Sequence, residues 1–148
     1  MIRGFIPAKI GTAWLAVEAG YVQEILGTRA WVPIPHASPT VPGVLAWRGR
    51  AIAVFDLARL FESGEPLRPG VERPRNLVVE ARGCTLAMPV DLVHEVRQLG
   101  SKELRPSHAT HLRHSTTEMD LFSSVAPVVD VTSLVEALLA TQPGEHGS

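Results

Sequence analysis

Three histidines at intervals of three, His108, His111 and His114, are the residues of this 148-residue chain whose type and spacing come nearest to a metal site. On a helix they would stack along one edge and could offer two or three imidazoles to zinc. Their setting, SHATHLRHSTTE, has little helical pattern and no clear partner to orient the rings, so it reads as a solvated polar loop and no metal is assigned. Cys84 is a candidate nucleophile, but no lysine or histidine adjoins it to stabilise a thiolate, and a small buried thiol is the simpler reading. There is no G-x-S-x-G, no phosphate-binding glycine loop and no H-E-x-x-H, since His94 and Glu95 are followed by Val96, Arg97 and Gln98. These absences weaken an enzyme reading, and no cofactor is assigned. What remains is recognition. Arg48 and Gly49 interrupt two apolar runs in VLAWRGRAIAVFDLARLF (44–61), beside Trp47. Trp and Arg are enriched at the desolvated centres of interfaces. An Arg-Gly pair is also what an ordinary hairpin turn carries, and Trp31 and Trp47 could equally be core residues.

The elements that must position these residues are mostly strands. NLVVEARGCTLAMPV (76–90) reads as two runs of β-formers around a turn, and VLAW and AIAVF flank RGR in the same way. Short strands with glycine-bearing turns point to small barrels or a sandwich. Asp56 and Asp130 each follow an apolar strand and stand where a helix N-cap would. The second helix, DVTSLVEALLAT, carries Val131, Leu134, Val135, Leu138 and Leu139 as a one-sided stripe that should dock on a barrel. Pro7 in RGFIPAKI favours an edge strand at the N-terminus.

The two parts of the chain echo each other. LAVEAGYVQEI (15–25) aligns on LAMPVDLVHEV (86–96) at an offset of 71, and VFDLARLF (54–61) on VVDVTSLV (128–135) at an offset of 74. Ordered matches at nearly one offset suggest a duplication. Extended, the second offset sets Arg48 and Gly49 against Phe122 and Ser123, so the scaffold itself does not demand Arg-Gly. SGEPLRPGVERPR (63–75), dense in Pro and Gly, is the clearest boundary, dividing a single domain (1–141) into subdomain halves of roughly 5–65 and 76–141; 142–148 reads as a disordered tail.

Composition narrows the partners. A net charge of −1 with 20% charged residues gives no nucleic-acid footprint, and no apolar run approaches the roughly 18 residues of a membrane span. A lone cysteine excludes an internal disulfide and suits a reducing compartment, so a soluble, cytoplasmic protein is expected.

Five blocks in order, VQEIL (22–26), VPIPHASPTVPGVLAWRGRAIAVFDLARLF (32–61), NLVVEARGCTLAMPVDLVHEV (76–96), LRPSH (104–108) and VAPVVDVTSLV (125–135), resemble a CheW-like domain over about residues 5–140. The most specific block is P-x-x-P-G-V-x-x-x-R-G-x-x-x-x-V-x-D-L, Pro39 to Leu57. The resemblance implies an all-β fold of two SH3-like five-stranded barrels sharing a hydrophobic core, with short helices and a C-terminal helix. It also implies a non-enzymatic adaptor between the cytoplasmic tip of methyl-accepting chemoreceptors and the regulatory domain of a CheA-type histidine kinase, itself CheW-like. Glu24 and Arg48 then match positions lining the receptor-binding groove and could pair there, with Val22 and Ile25 as its apolar floor and Trp47 and Gly49 flanking Arg48. An exposed pair of this kind is worth about 0–1 kcal/mol but fixes the groove's shape and charge. Where the family usually has N-L-R-G, this chain has Ala46-Trp47-Arg48-Gly49, a departure that bears on receptor preference. The segment SHATHLRHSTTEMDLFSS lacks the usual glycine-bearing strand and is shorter, which bears on one of two kinase-type interfaces. A small β-barrel regulator that binds a ligand or metal through the histidine segment is the alternative.

Overall fold

Arg48–Gly49 and Arg82–Gly83 turn the chain through consecutive positive φ angles, 49° and 75° in the first and 52° and 74° in the second. Two left-handed residues in a row match the twist of antiparallel strands, so both predicted turns are tight hairpins. The computed structural model describes residues 2–107, 115, 117–122 and 124–140. The strands before the proline-rich segment are β1 (Ile2–Ile10), β2 (Ala13–Glu18), β3 (Val22–Leu26), β4 (Val32–Pro33), β5 (Gly43–Trp47) and β6 (Arg50–Val54), followed by helix α1 (Leu57–Phe61). After it come β7 (Arg75–Ala81), β8 (Cys84–Val90), β9 (Leu92–Val93), β10 (Arg97–Gly100), β11 (Leu104–Pro106), β12 (Thr117–Leu121), β13 (Ser124–Val128) and helix α2 (Val131–Ala140). Among the described residues no helix is long and apolar enough to cross a membrane.

The strands form two sheets. One runs β10-β1-β2-β13-β12-β11, with β9 also paired to β1; the other runs β3-β7-β8-β6-β5-β4. In each, the two end strands are neighbours in the chain, joined only by residues 101–103 and 27–31, so each sheet curls back on itself. Without the two- and three-residue strands β4, β9 and β11, each sheet has the five strands expected. β1 is not the edge strand that Pro7 predicts: it lies between β2 and β10. β10 pairs only with residues 2–5 and β9 only with 8–9, so Pro7 falls in the break between them, where no ladder donor is needed.

Strand pairing does not divide at the proline-rich segment. The first sheet takes β1 and β2 from before it and β9–β13 from after it, while the second takes β3–β6 and then β7 and β8. The sequence repeat explains the arrangement. β6 runs parallel to β8, with Val54 opposite Ala87, and β13 runs parallel to β2, with Val128 opposite Ala16. The Phe55 amide donates to the Ala87 carbonyl and the Val129 amide to the Ala16 carbonyl, each at 2.8 Å. Ala87 and Ala16 are repeat equivalents, as are Phe55 and Val129. Each copy of the repeat therefore gives its strand before the helix to a barrel built on the other copy's hairpin.

Period-two alternation then yields three apolar clusters. Leu15 and Val17 of β2, Leu77 and Val79 of β7 and Leu86 and Met88 of β8 face a core shared by the two sheets, which also receives Val131, Leu134 and Val135 of α2. The alternate residues Ala16, Val78 and Ala87 point into the barrels, Ala16 with Phe5 and Met119, and Val78 and Ala87 with Leu26, Trp31 and Leu45. Strands buried on both faces need apolar residues at nearly every position, hence the unbroken runs in the sequence. Of the predicted helix stripe, Leu138 also packs on the shared core and Leu139 is exposed.

Both predicted caps form. Asp56 accepts from the Ala58 amide at 3.1 Å and Asp130 from the Ser133 amide at 3.0 Å. Asp130→Ala is expected to destabilise the protein by about 1 kcal/mol through loss of the cap, measured as a lower urea midpoint with unchanged slope. Asp56 does more. The proline-rich segment is strapped down through it: Leu67 donates its amide to Asp56 at 2.9 Å, and the Arg73 guanidinium sits 3.4 Å from the same carboxylate. Arg73 also donates to the Pro89 carbonyl at 3.2 Å and to the Glu65 carbonyl, and lies 3.8 Å from Asp91, which accepts from the Gly11 amide at 2.7 Å. One buried ion group thus ties the strap, the start of α1, the end of β8 and the β1–β2 turn together.

Candidate functional site

Among the described residues the end strands of this sheet, β3 and β4, are not paired with each other, and β4 reaches only Gly43 and Val44 of β5. Side chains link β3 to the far end of β5. The Trp47 indole Nε1 donates to Glu24 Oε1 at 2.9 Å, and Arg48 Nη2 reaches the same oxygen at 3.3 Å. The Arg48 guanidinium carbon lies 4.7 Å from the Trp47 ring centroid, a cation–π contact. The Arg48 side chain is 67% exposed and that of Glu24 40%, so the group faces solvent.

The local sequence places each member. Arg48 and Gly49 hold the left-handed turn, and Gly49 has open space around its α-carbon. Gly43, earlier in the same motif, has the opposite constraint: a Cβ there would come within 2.2 Å of the Val32 carbonyl oxygen and 2.6 Å of the Trp31 ring. Trp31 is buried inside the barrel, whereas Trp47 is half-buried at its mouth. The tryptophans therefore divide the two roles open to them.

Glu24, Trp47, Arg48 and Gly49 come together as one group, but Val22 and Ile25 do not form a joint floor beneath it. A register shift between Val22 and Glu24 in β3 sends Val22 against the shared core and leaves Ile25 exposed. Val32 and Ile34, on and just after β4, are exposed as well. Their signal was available in the sequence as apolar residues alternating with Pro33 and Pro35, a pattern of solvent-facing edge segments.

The second barrel carries a different surface at the equivalent turn. Phe122 has a φ of 49°, the same as Arg48, as the 74-residue offset requires. Its ring lies 4.6 Å from Trp14 and 4.7 Å from His94 by centroids, with Arg97 5.6 Å above it. Leu92, Val96, Phe122 and Val125 are exposed on this barrel. The 74-residue offset aligns Phe122 with Arg48 but does not itself mark it as an exposed aromatic.

Burial pushes the Cys84 thiol above its ordinary pKa, which disfavours the thiolate and agrees with a packing role at the start of β8. No cluster of three metal-ligating side chains occurs among the described residues; His108, His111 and His114 lie outside them, as does the 142–148 tail.

Over 107 residues the chain is 27% identical to a chemotaxis protein CheW of Rhizobium meliloti (strain 1021), covering 71% of this chain and 66% of that one, just under two thirds of the relative's length. The fold matches the crystal structure of the scaffolding protein TtCheW from Thermoanaerobacter tengcongensis with a TM-score of 0.76 at 20% identity, over 87% of this chain and 89% of that one. Residues 5–139, which hold nearly all of both barrels and the Glu24–Trp47–Arg48 group on one of them, match the CheW-like domain as a single unit, and the chain belongs to the CheW-like domain family.

Proposed function

We propose that the protein is a non-enzymatic cytoplasmic adaptor that couples the tip of a methyl-accepting chemoreceptor to a CheA-type histidine kinase. The observation that carries this reading is the solvent-facing Glu24–Trp47–Arg48 group on one barrel, at the turn that the family resemblance aligns with the receptor groove. Apolar Ile25, Val32 and Ile34 on the adjoining edge segments supply desolvation area beside the charges.

An adaptor needs a second, separate surface. The Phe122 face lies on the other barrel and combines exposed aliphatic side chains with an aromatic cluster flanked by Arg97 and Lys9, which sits 5.5 Å from the Trp14 ring. A CheW-like regulatory domain pairing barrel to barrel would meet such a face, and we assign the kinase to it. The test is a pair of binding measurements, one against a receptor cytoplasmic hairpin and one against the kinase regulatory domain. Phe122→Asp should weaken kinase binding by about tenfold or more and leave receptor binding within twofold, since it introduces a carboxylate at the centre of an apolar face. Loss of both activities together, with the fold intact by circular dichroism, would argue against two separate faces.

A further inference from the structure

We infer that Trp47 is a positioning residue that sets the geometry of the Glu24–Arg48 pair and so helps determine which partner the turn accepts. The inference rests on the docking reading above and adds to it a residue at which the chain departs from its family's usual motif.

An exposed Arg–Glu pair on its own is weakly held, because two long side chains must be fixed in one arrangement in high dielectric. Here a third group fixes them. Trp47 packs its ring partly against the barrel's inner cluster of Leu26, Trp31, Leu45 and Ile52, so its position is set by the core. From that anchored ring the indole N–H holds Glu24 Oε1 at 2.9 Å, shorter than the 3.3 Å from Arg48 Nη2 to the same oxygen. The ring face carries the Arg48 guanidinium at 4.7 Å. A neutral donor holds the carboxylate without cancelling its charge, and the stack directs the arginine without consuming its N–H groups. The pair is therefore presented in one orientation with both charges available. An aliphatic residue at position 47 offers neither contact.

A double-mutant cycle tests this. Binding of a receptor cytoplasmic hairpin is measured for wild type, Trp47→Phe, Trp47→Leu, Arg48→Ala and the combination of Trp47→Leu with Arg48→Ala. Trp47→Phe keeps the ring and loses the donor, and should weaken binding about threefold to tenfold. Trp47→Leu loses both contacts and should weaken it about 30-fold, with Phe restoring part of what Leu loses. In the Arg48→Ala background, Trp47→Leu should cost no more than about threefold, because the group it positions is gone. If Trp47 merely fills the core, its cost will be the same in both backgrounds, which would overturn the inference while wild-type binding stands. Failure of the wild-type protein to bind any receptor hairpin would overturn the docking reading and this inference with it.

Discussion

Arg48→Glu should reduce binding to a receptor hairpin by about 30-fold to 3,000-fold, the range that corresponds to the roughly 2–5 kcal/mol lost when a charge is removed from a desolvated interface pair. The substitution removes the cation stacked on Trp47 and places a second carboxylate beside Glu24, whose Oε1 now lies 3.3 Å from Arg48. Repulsion would splay the two acids and leave the indole N–H to one of them. Stability should hardly change, because both side chains are substantially exposed and such a pair contributes about 0–1 kcal/mol. The melting temperature should accordingly move by less than about 4 °C. Isothermal titration calorimetry paired with a thermal scan separates the two effects. Binding within twofold of wild type would remove this turn from the receptor interface.

The largest stability effect is expected at a residue with no part in docking. Arg73→Leu should cost about 3–5 kcal/mol, because it leaves the Asp56 carboxylate buried without its counter-charge. Asp56 is 1% exposed and Arg73 8%, and the guanidinium also serves the Pro89 and Glu65 carbonyls, which would be stranded with it. For a chain of this size the loss is on the order of 10 °C in melting temperature. Adding Asp56→Asn to Arg73→Leu should recover part of the loss, since the buried charge is removed while an amide oxygen can still accept from the Ala58 amide. A cost below about 1 kcal/mol for Arg73→Leu would mean that the strap is held by its apolar contacts, with Leu67 on the barrel cluster the main one.

What the sequence disclosed was local. Both hairpins follow from glycine after arginine in a pair of left-handed turn positions, and both helix starts from an aspartate after an apolar strand. The repeat was legible because its offset is nearly constant. Its consequence was not: an offset of 71 or 74 residues reads the same whether β6 pairs with its own copy's strand or with β8 of the other. Arg73 escaped notice for a related reason. Its partner Asp56 lies 17 residues away, across a stretch whose prolines and glycines have the composition of a linker. At the candidate site, Glu24 and Arg48 were named through the family motif, whereas the indole contact joins the end of β5 to β3, a sequence separation of 23 residues that no local pattern announces. Val22 and Ile25 were placed in the groove only through the family resemblance, and the irregularity between Val22 and Glu24 in β3 is a non-local event set by pairing with β7.

The exchange of strands between repeat copies also imposes an order in time. Ala16 of β2 is made well before its parallel partner strand, which pairs through Val128 and follows more than a hundred residues later. At about 5–20 residues per second, translation leaves Ala16 on the order of 10 s without the strands that enclose it, whereas Leu15 and Val17 can pack on β7 and β8 earlier. The barrel that holds the Arg48 turn needs no strand beyond β8 and can close first, so the barrel-facing side of the β1–β2 hairpin is satisfied later, when β12 and β13 emerge.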